Sequence, residues 1–281
     1  VFPISPLFAS AMEKIFFGPW VGEFGWELFV WQAYVRALSR HYEETTIICR
    51  KSSEPLYADF ADNFINISVS GIADSFFMYG LNTDDLLRKT LVENKDILKK
   101  DLVVFKPRRI GTPPQTMYDV PFIFGNHKIL PEYITYGNVS DTIYDFVFHI
   151  RARELRKQDN WSMDSWKRLR QMLPQASKVA CIGTVAESGH MEGTDDLRGE
   201  NLGVVFDILR NAKCCFGPSS GPMHLASLCG CPHVVWSSSK NFLRYTKTWN
   251  PLKTKVLFDS ESSWHPKPED IYNKYVEWIN G

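Results

Sequence analysis

Residues 214–232 constrain the chain most. Cys214, Cys215 and Phe216 read as an apolar strand, Gly217-Pro218-Ser219-Ser220 as a tight turn, and a helix begins at about Gly221. Pro222 stands at the first helical turn, where its missing N–H removes no hydrogen bond, and Gly230 stops the helix. A further strand follows at His233-Val234-Val235-Trp236. The unit is therefore βαβ-like, with the helix amino terminus, its free amides and its positive dipole end facing hydroxyls and glycines. That arrangement binds phosphate through the backbone, and in an open α/β sheet it lies at the carboxyl edge, where ligands bind.

A second strand, glycine-rich loop and helix opens the chain. Lys14 to Phe17 form the strand, and Gly18 to Trp26 the loop, with glycines at 18, 22 and 25. Apolar residues then recur at Leu28, Trp31, Tyr34 or Val35, and Leu38, the helical period. The G-x-x-x-G-x-x-G spacing is not the dinucleotide fingerprint, and no Walker lysine is present, which argues against nicotinamide and nucleotide-triphosphate sites. The loop carries Glu23 and Glu27 instead, beside Gly22, Phe24, Gly25 and Trp26. Glu27 falls in the first helical turn, where the dipole is expected to lower its pKa and keep it ionised. A carboxylate there either complements the helix dipole or serves as a general base.

The 32 Lys and Arg balance the 32 Asp and Glu, so no overall field favours nucleic acid, and any anion site must be local. Six cysteines without a CxxC pair read as reduced core residues. No apolar run is long enough to span a bilayer. Residues 1–11 lack the basic stretch of a leader, and a cytoplasmic protein is expected.

Between these motifs the sequence predicts a helix-like segment around Tyr57, Phe60 and Phe64, a charged helix over 81–100 whose lysines at its end form a solvated face, a short strand at Leu102 to Phe105, and a loop from Lys106 to Pro114. Residues 125–142 carry no period and are the expected crossing between an amino-terminal domain, 12–140, and a carboxy-terminal domain, 141–281. At Tyr144 a new α/β half opens. Its strand exit gathers His149, Arg151, Arg153, Arg156 and Lys157, either a solvated basic loop or a clamp for diphosphate, the latter because guanidinium matches phosphate oxygens bidentately. Ser162 caps a helix with apolar positions Trp166, Leu169 and Leu173. A strand ending at Gly183 follows, with Glu187 in the next loop, then a turn at Asp195 to Gly199 and a helix over 202–210. A last helix, from about Pro268 to Trp278, belongs to the second domain or packs back on the first.

The second half resembles the ADP-heptose:lipopolysaccharide heptosyltransferase family over residues 144–241. The resemblance lies in Asn160 to Trp166 as a tryptophan-bearing helix start, Asp196-Leu197-Arg198-Gly199 as a short turn, and Gly217 to Ala226 as a donor-phosphate motif. It implies a GT-B fold, two Rossmann-like domains facing across a cleft, and an acidic base in the first loop. Helix register assigns that base to Glu27, the preceding glycine to Glu23. Two departures stand out. His149-Ile150-Arg151-Ala152-Arg153 looks more like the His-x-Arg motif of GDP-fucose fucosyltransferases, and the chain is short for a lipopolysaccharide enzyme.

The resemblance implies an inverting, metal-independent glycosyltransferase without a cofactor, using a UDP-, GDP- or ADP-linked sugar and a glycan acceptor. Arg151, Arg153, Lys157, Gly183, Glu187, Ser219, Ser220, Gly221, Met223 and His224 are its expected donor residues. Gly22, Phe24, Gly25 and Trp26 are its acceptor residues, and Glu27 or Glu23 the base. The rival readings are a nucleotide-sugar epimerase of the same fold, with Glu187 or His224 as a second acid/base group, and a non-catalytic sugar-nucleotide or glycan-binding module.

Overall fold

The computed structural model describes residues 14–68, 83–94, 103–105, 122–124, 127–141 and 143–281. The apolar start, the lysine run at 95–100 and the loop from Lys106 to Pro114 lie outside the described residues. The chain divides into two compact units, Val1–Glu132 and Tyr133–Gly281.

In the first unit, β1 (Lys14–Phe17) pairs in parallel with β2 (Glu44–Cys49) on one side and β4 (Val103–Phe105) on the other, and β3 (Asn63–Asn66) extends the sheet beyond β2. The strand order thus reverses beside β1, so the loop leaving β1 sits where neighbouring connections diverge. That loop enters a helix built in three parts: α1 (Phe24–Trp26), a π-helical turn (Glu27–Trp31) and α2 (Gln32–Ser39). The predicted apolar face is buried as expected, at Leu28, Trp31, Tyr34, Val35 and Leu38. Arg36, fully buried on α2, donates to Asp59 at 2.7 and 3.0 Å and to the carbonyls of Leu56 and Glu132 at 3.0 Å.

The segment expected to be helix-like around Tyr57 differs. A 3-10 helix covers Lys51–Leu56, and Phe64 lies in β3. Pro55 withholds an amide, and Phe64 and Ile65 meet the sheet instead. The helix expected over 81–100 is α3 (Thr83–Glu93). At the start of the unpatterned stretch, β6 (His127–Ile129) pairs antiparallel with β5 (Phe122–Phe124), which precedes it, a pairing the sequence did not reveal.

The second unit is a six-stranded parallel sheet in the order β12-β11-β10-β7-β8-β9. Its strands are β7 (Phe146–Phe148), β8 (Val179–Cys181), β9 (Asp195–Asp196), β10 (Cys214–Pro218), β11 (His233–Trp236) and β12 (Val256–Asp259). The chain runs outward from β7 through β8 to β9, returns to β10, and runs outward the other way, so β7 and β10 flank the reversal. Asp195 and Asp196, expected in a turn, form the short edge strand β9. Four helices complete the unit: α4 (Met163–Met172), α5 (Leu202–Asn211), α6 (Gly221–Leu228) and α7 (Pro268–Asn280). Ser162 caps α4 by accepting from the Ser165 amide at 3.1 Å. Gly230, at φ +67°, ends α6 in the left-handed region that favours glycine.

One face of this sheet carries an aromatic core. Trp166 packs against Phe148, Trp161 and Trp236 with ring centroids 5.1 to 5.3 Å apart. α7 lies on α4 and adds Ile271 and Tyr275 to the same core. All six cysteines are free and buried, as expected. Among the described residues no helix is long and apolar enough to cross a membrane.

Replacing the fully buried Trp166 by alanine opens a cavity at the centre of this core. The expected cost is about 3 to 5 kcal/mol, measured by urea denaturation. A loss below about 1 kcal/mol would mean the aromatic cluster is not what holds the second unit together.

Candidate active site

In the second unit the loops leaving β7 and β10 meet at the reversal of strand order. The β10 loop is as expected. Ser220 precedes α6 in extended conformation, Gly221 and Pro222 begin the helix, and the amides of Gly221 and Met223 have no intrahelical acceptor. The Ser220 amide donates to the Tyr245 hydroxyl at 3.1 Å, and that hydroxyl donates in turn to Ser219 Oγ at 3.2 Å or the Ser220 carbonyl at 3.4 Å. Ser220 Oγ is buried and has no hydrogen-bond partner among the described residues. The Met223 side chain is fully buried, its sulfur 3.6 Å from Cys215 Sγ, so this residue offers a ligand only its backbone. His224 is buried too, stacked on Tyr245 at 4.1 Å. Burial first, then Arg244 and His233, holds its pKa well below the usual histidine value. It is neutral and enclosed, unlike the acid/base group an epimerase would require there.

The β7 exit corrects the expected clamp. Arg151 is 3% exposed. Its guanidinium donates to Asn160 Oδ1, to the Arg156 carbonyl at 3.1 Å and to the Leu155 carbonyl at 3.3 Å. Asn160 also accepts from the Arg153 amide at 3.2 Å and donates to the Arg153 carbonyl at 2.8 Å. Arg151 and Asn160 thus fold the loop from within, because a buried guanidinium must find acceptors for its donors. Arg153 is the outer arginine, its Nε 3.1 Å from Glu187 Oε1, with side chains 13% and 24% exposed. Lys157 is exposed and lies 3.6 Å from Glu154. The β8 exit is tied to the same loop: the Gly189 amide donates to the Ile150 carbonyl at 2.7 Å and the Ala152 amide to the Glu187 carbonyl at 2.8 Å. Gly183, at φ +127°, lies where a Cβ would collide with the Ser188 hydroxyl. His149 Nδ1 donates to the Ile182 carbonyl at 3.2 Å, and burial, with Arg151 and Arg153 nearby, pushes its pKa down to about 4.

In the first unit, the β1 loop holds Glu23 at its half-buried lip and Glu27 inside. Gly22 and Gly25 are buried, and Phe24 and Trp26 half-buried. Glu23 precedes α1 but its side chain does not cap it. Glu27 accepts from the Tyr57 hydroxyl at 2.8 Å and from the Ser53 hydroxyl at 3.2 Å. Burial dominates over these bonds and the Arg50 charge and raises its pKa from 4.5 to about 7. The expectation that the helix dipole lowers this pKa is therefore reversed, because a carboxylate 1% exposed loses more hydration than one helix end returns. Arg50 also donates to the carbonyls of Val21 at 2.9 Å and Gly22 at 3.4 Å, holding the loop down. Arg50, Ser53 and Tyr245 escaped the sequence reading, and Tyr57 and Asn160 entered it only as a helix-like position and as part of the tryptophan-bearing helix start. None of the five was marked as a site residue.

Two Rossmann-like units, each with a glycine-bearing loop at the reversal of a parallel sheet, define the GT-B fold. Solved structures agree over nearly the whole chain. A family 9 glycosyl transferase from Veillonella parvula superposes with TM-score 0.62 at 12% identity, covering 96% of this chain and 99% of that one. E. coli ADP-heptose lps heptosyltransferase II gives 0.60 at 12% identity, with 96% and 99% covered. An E. coli heptosyltransferase with ADP gives 0.58 at 11% identity, with 95% and 100% covered. At these identities the likeness is one of fold. No protein-family model matches the sequence, and no curated protein matches it.

The raised Glu27 pKa has a consequence for stability. Between pH 4.5 and 7 the folded protein binds a proton at Glu27 that the unfolded chain has released. Stability from this group is therefore present below pH 4.5 and is lost as pH rises through 7, by about 3 kcal/mol. Glu27→Gln, which stays neutral, should remove this decline. Urea denaturation of both proteins across the range checks it, and parallel curves would show that Glu27 titrates normally.

Proposed function

We propose that the protein is a glycosyltransferase that moves a sugar from a nucleotide-diphosphate sugar to a glycan hydroxyl, with inversion and without a metal ion. The observation that carries this reading is the β10–α6 turn at the reversal of the second sheet, in a chain with the GT-B fold. The turn supplies what a leaving diphosphate needs: helix-end amides at Gly221 and Met223, the hydroxyls of Ser219 and Ser220, and a favourable dipole. Arg153, with Lys157 further out on the same loop, supplies charge, while Arg151 keeps that loop in shape. Glu187 and Gly183 belong to the adjoining loop and would border the donor.

The acceptor hydroxyl loses its proton to a carboxylate of the first unit as its oxygen attacks the anomeric carbon. The bond to the diphosphate oxygen breaks on the opposite side, and the electron pair leaves with the nucleotide. One in-line displacement inverts the anomeric centre. Glu23, at the lip of the loop, is the reading's base. Glu27, held by Tyr57 and Ser53, anchors the turn beneath it. Phe24 and Trp26, half-buried beside Gly22 and Gly25, offer the acceptor sugar an apolar face. The reading without a metal is supported by the adjacent carboxylates Asp195 and Asp196 already having partners. Asp196 is bonded bidentately by Arg198 at 2.7 and 2.8 Å, and Asp195 accepts from Tyr144 at 2.8 Å.

The test is nucleotide release and sugar transfer from UDP-, GDP- and ADP-sugars in EDTA. Transfer should survive the chelator. Glu23→Gln should lower kcat by about 10² to 10⁴ while leaving nucleotide affinity within about threefold, which calorimetry reads. Activity strictly dependent on added divalent metal, or full activity in both Glu23→Gln and Glu27→Gln, would overturn the scheme, and nucleotide binding with no transfer in the wild type would favour a binding module.

A further inference from the structure

The second π-helical turn, Arg244–Thr248, follows β11 and has no part in the scheme above. It brings Tyr245 to the amino terminus of α6, and that ring is fully buried. Three rings fix it: His224 stacks at 4.1 Å with planes 11° apart, Phe258 lies at 5.6 Å, and His233 at 6.2 Å. Only the hydroxyl reaches the turn, where it accepts the Ser220 amide at 3.1 Å and donates to Ser219 Oγ at 3.2 Å or the Ser220 carbonyl at 3.4 Å. The phenol oxygen therefore stands where an anion oxygen would stand, on an amide at the head of a helix, beside the buried and unsatisfied Ser220 hydroxyl. Positive charge is close. The Arg244 guanidinium lies 4.8 Å above the Trp249 ring, and its field is one of the causes that keep His224 neutral.

We propose that Tyr245 is a diphosphate-contacting residue, which exchanges its bond from the Ser220 amide for a bond to a phosphate oxygen. This rests on the donor site proposed above and adds to it a group from outside the phosphate motif. The exchange conserves hydrogen bonds. A phosphate oxygen takes the Ser220 N–H, the phenol loses that donor, and its own proton turns from Ser219 to the anion. The ring is fully buried and stacked on His224, so the hydroxyl stays within reach of whatever occupies the turn. A hydrogen bond from a neutral hydroxyl to an ionised phosphate is stronger than one to another hydroxyl, which sets the direction of the exchange.

Calorimetry against UDP, GDP and ADP and their nucleosides tests this. For the nucleotide bound most tightly, Tyr245→Phe should weaken the diphosphate about tenfold, the worth of one hydrogen bond to a charged group. The corresponding nucleoside, which does not reach the turn, should change by less than about twofold. Equal weakening of nucleoside and diphosphate would show that Tyr245 only props the loop. Tighter diphosphate binding would show that it competes with the ligand. Either result overturns the proposal.

Should Tyr245→Phe fail to fold, 3-fluorotyrosine at position 245 keeps the hydroxyl and makes it a stronger donor. Diphosphate, but not nucleoside, should then shift its fluorine resonance, and affinity should rise about twofold. An unmoved resonance would overturn the assignment. If the wild type binds none of the three diphosphates, the donor site itself is wrong and the role of Tyr245 falls with it. A phosphate-specific role is thereby separated from failure of the parent reading.

Discussion

The pairing of β7 with β10 decides what the second unit can be. The two strands are parallel, yet the chain leaves them toward opposite edges of the sheet. Connections that diverge on either side leave a gap at the carboxyl edge that no helix fills. The two loops that border the gap cannot be apolar, because backbone groups there have no ladder partner. One is solved by a helix amino terminus, the other by a guanidinium turned inward on its own loop. Beneath both lies the aromatic layer of Phe148, Trp161, Trp166 and Trp236, which gives the loops a rigid floor.

Three buried charges are handled in two different ways. Arg36 is satisfied by a carboxylate and two backbone carbonyls and has no ligand-facing role. Arg151 uses the same solution to shape a loop. Glu27 receives only two hydroxyls and a neighbouring arginine, less than its lost hydration, and so its proton affinity rises. The first two are structural in a sense that no inspection of net charge would reveal. The third leaves a carboxyl poised near neutrality four residues after the half-buried Glu23.

Much of the fold was legible. The β10–α6 turn was clear because Gly, Ser and Pro occur where backbone conformation demands them, and the helix after Ser162 because Trp166, Leu169 and Leu173 share a face. The site was legible only where it is local. Ser220 and Tyr245 are 25 residues apart, and Glu27 and Tyr57 are 30 apart. Such pairings belong to tertiary structure, and Tyr245 sits in a stretch with no period. The inward bonds of Arg151 could not be read from the sequence, because a cluster of cations looks alike whether its members face solvent or their own carbonyls. The uncertain phase at Tyr34 or Val35 did have a cause. The Gln32 amide bonds back to Glu27, five residues away, so one extra residue enters the turn and both side chains end up inside.

Among the described residues that widened turn occurs twice, at Glu27–Trp31 and at Arg244–Thr248, once in each unit and each time holding a residue given a role here. An inserted residue in a helix rotates everything before it by about 100° relative to everything after it, and such bulges recur at functional sites. A helix can therefore keep its packed half in register with the core while its leading half is re-aimed. Glu27 and Tyr245 both belong to the leading part. Ancestral chains could have acquired or relocated these side chains by a one-residue insertion, without redesigning the sheet contacts behind them.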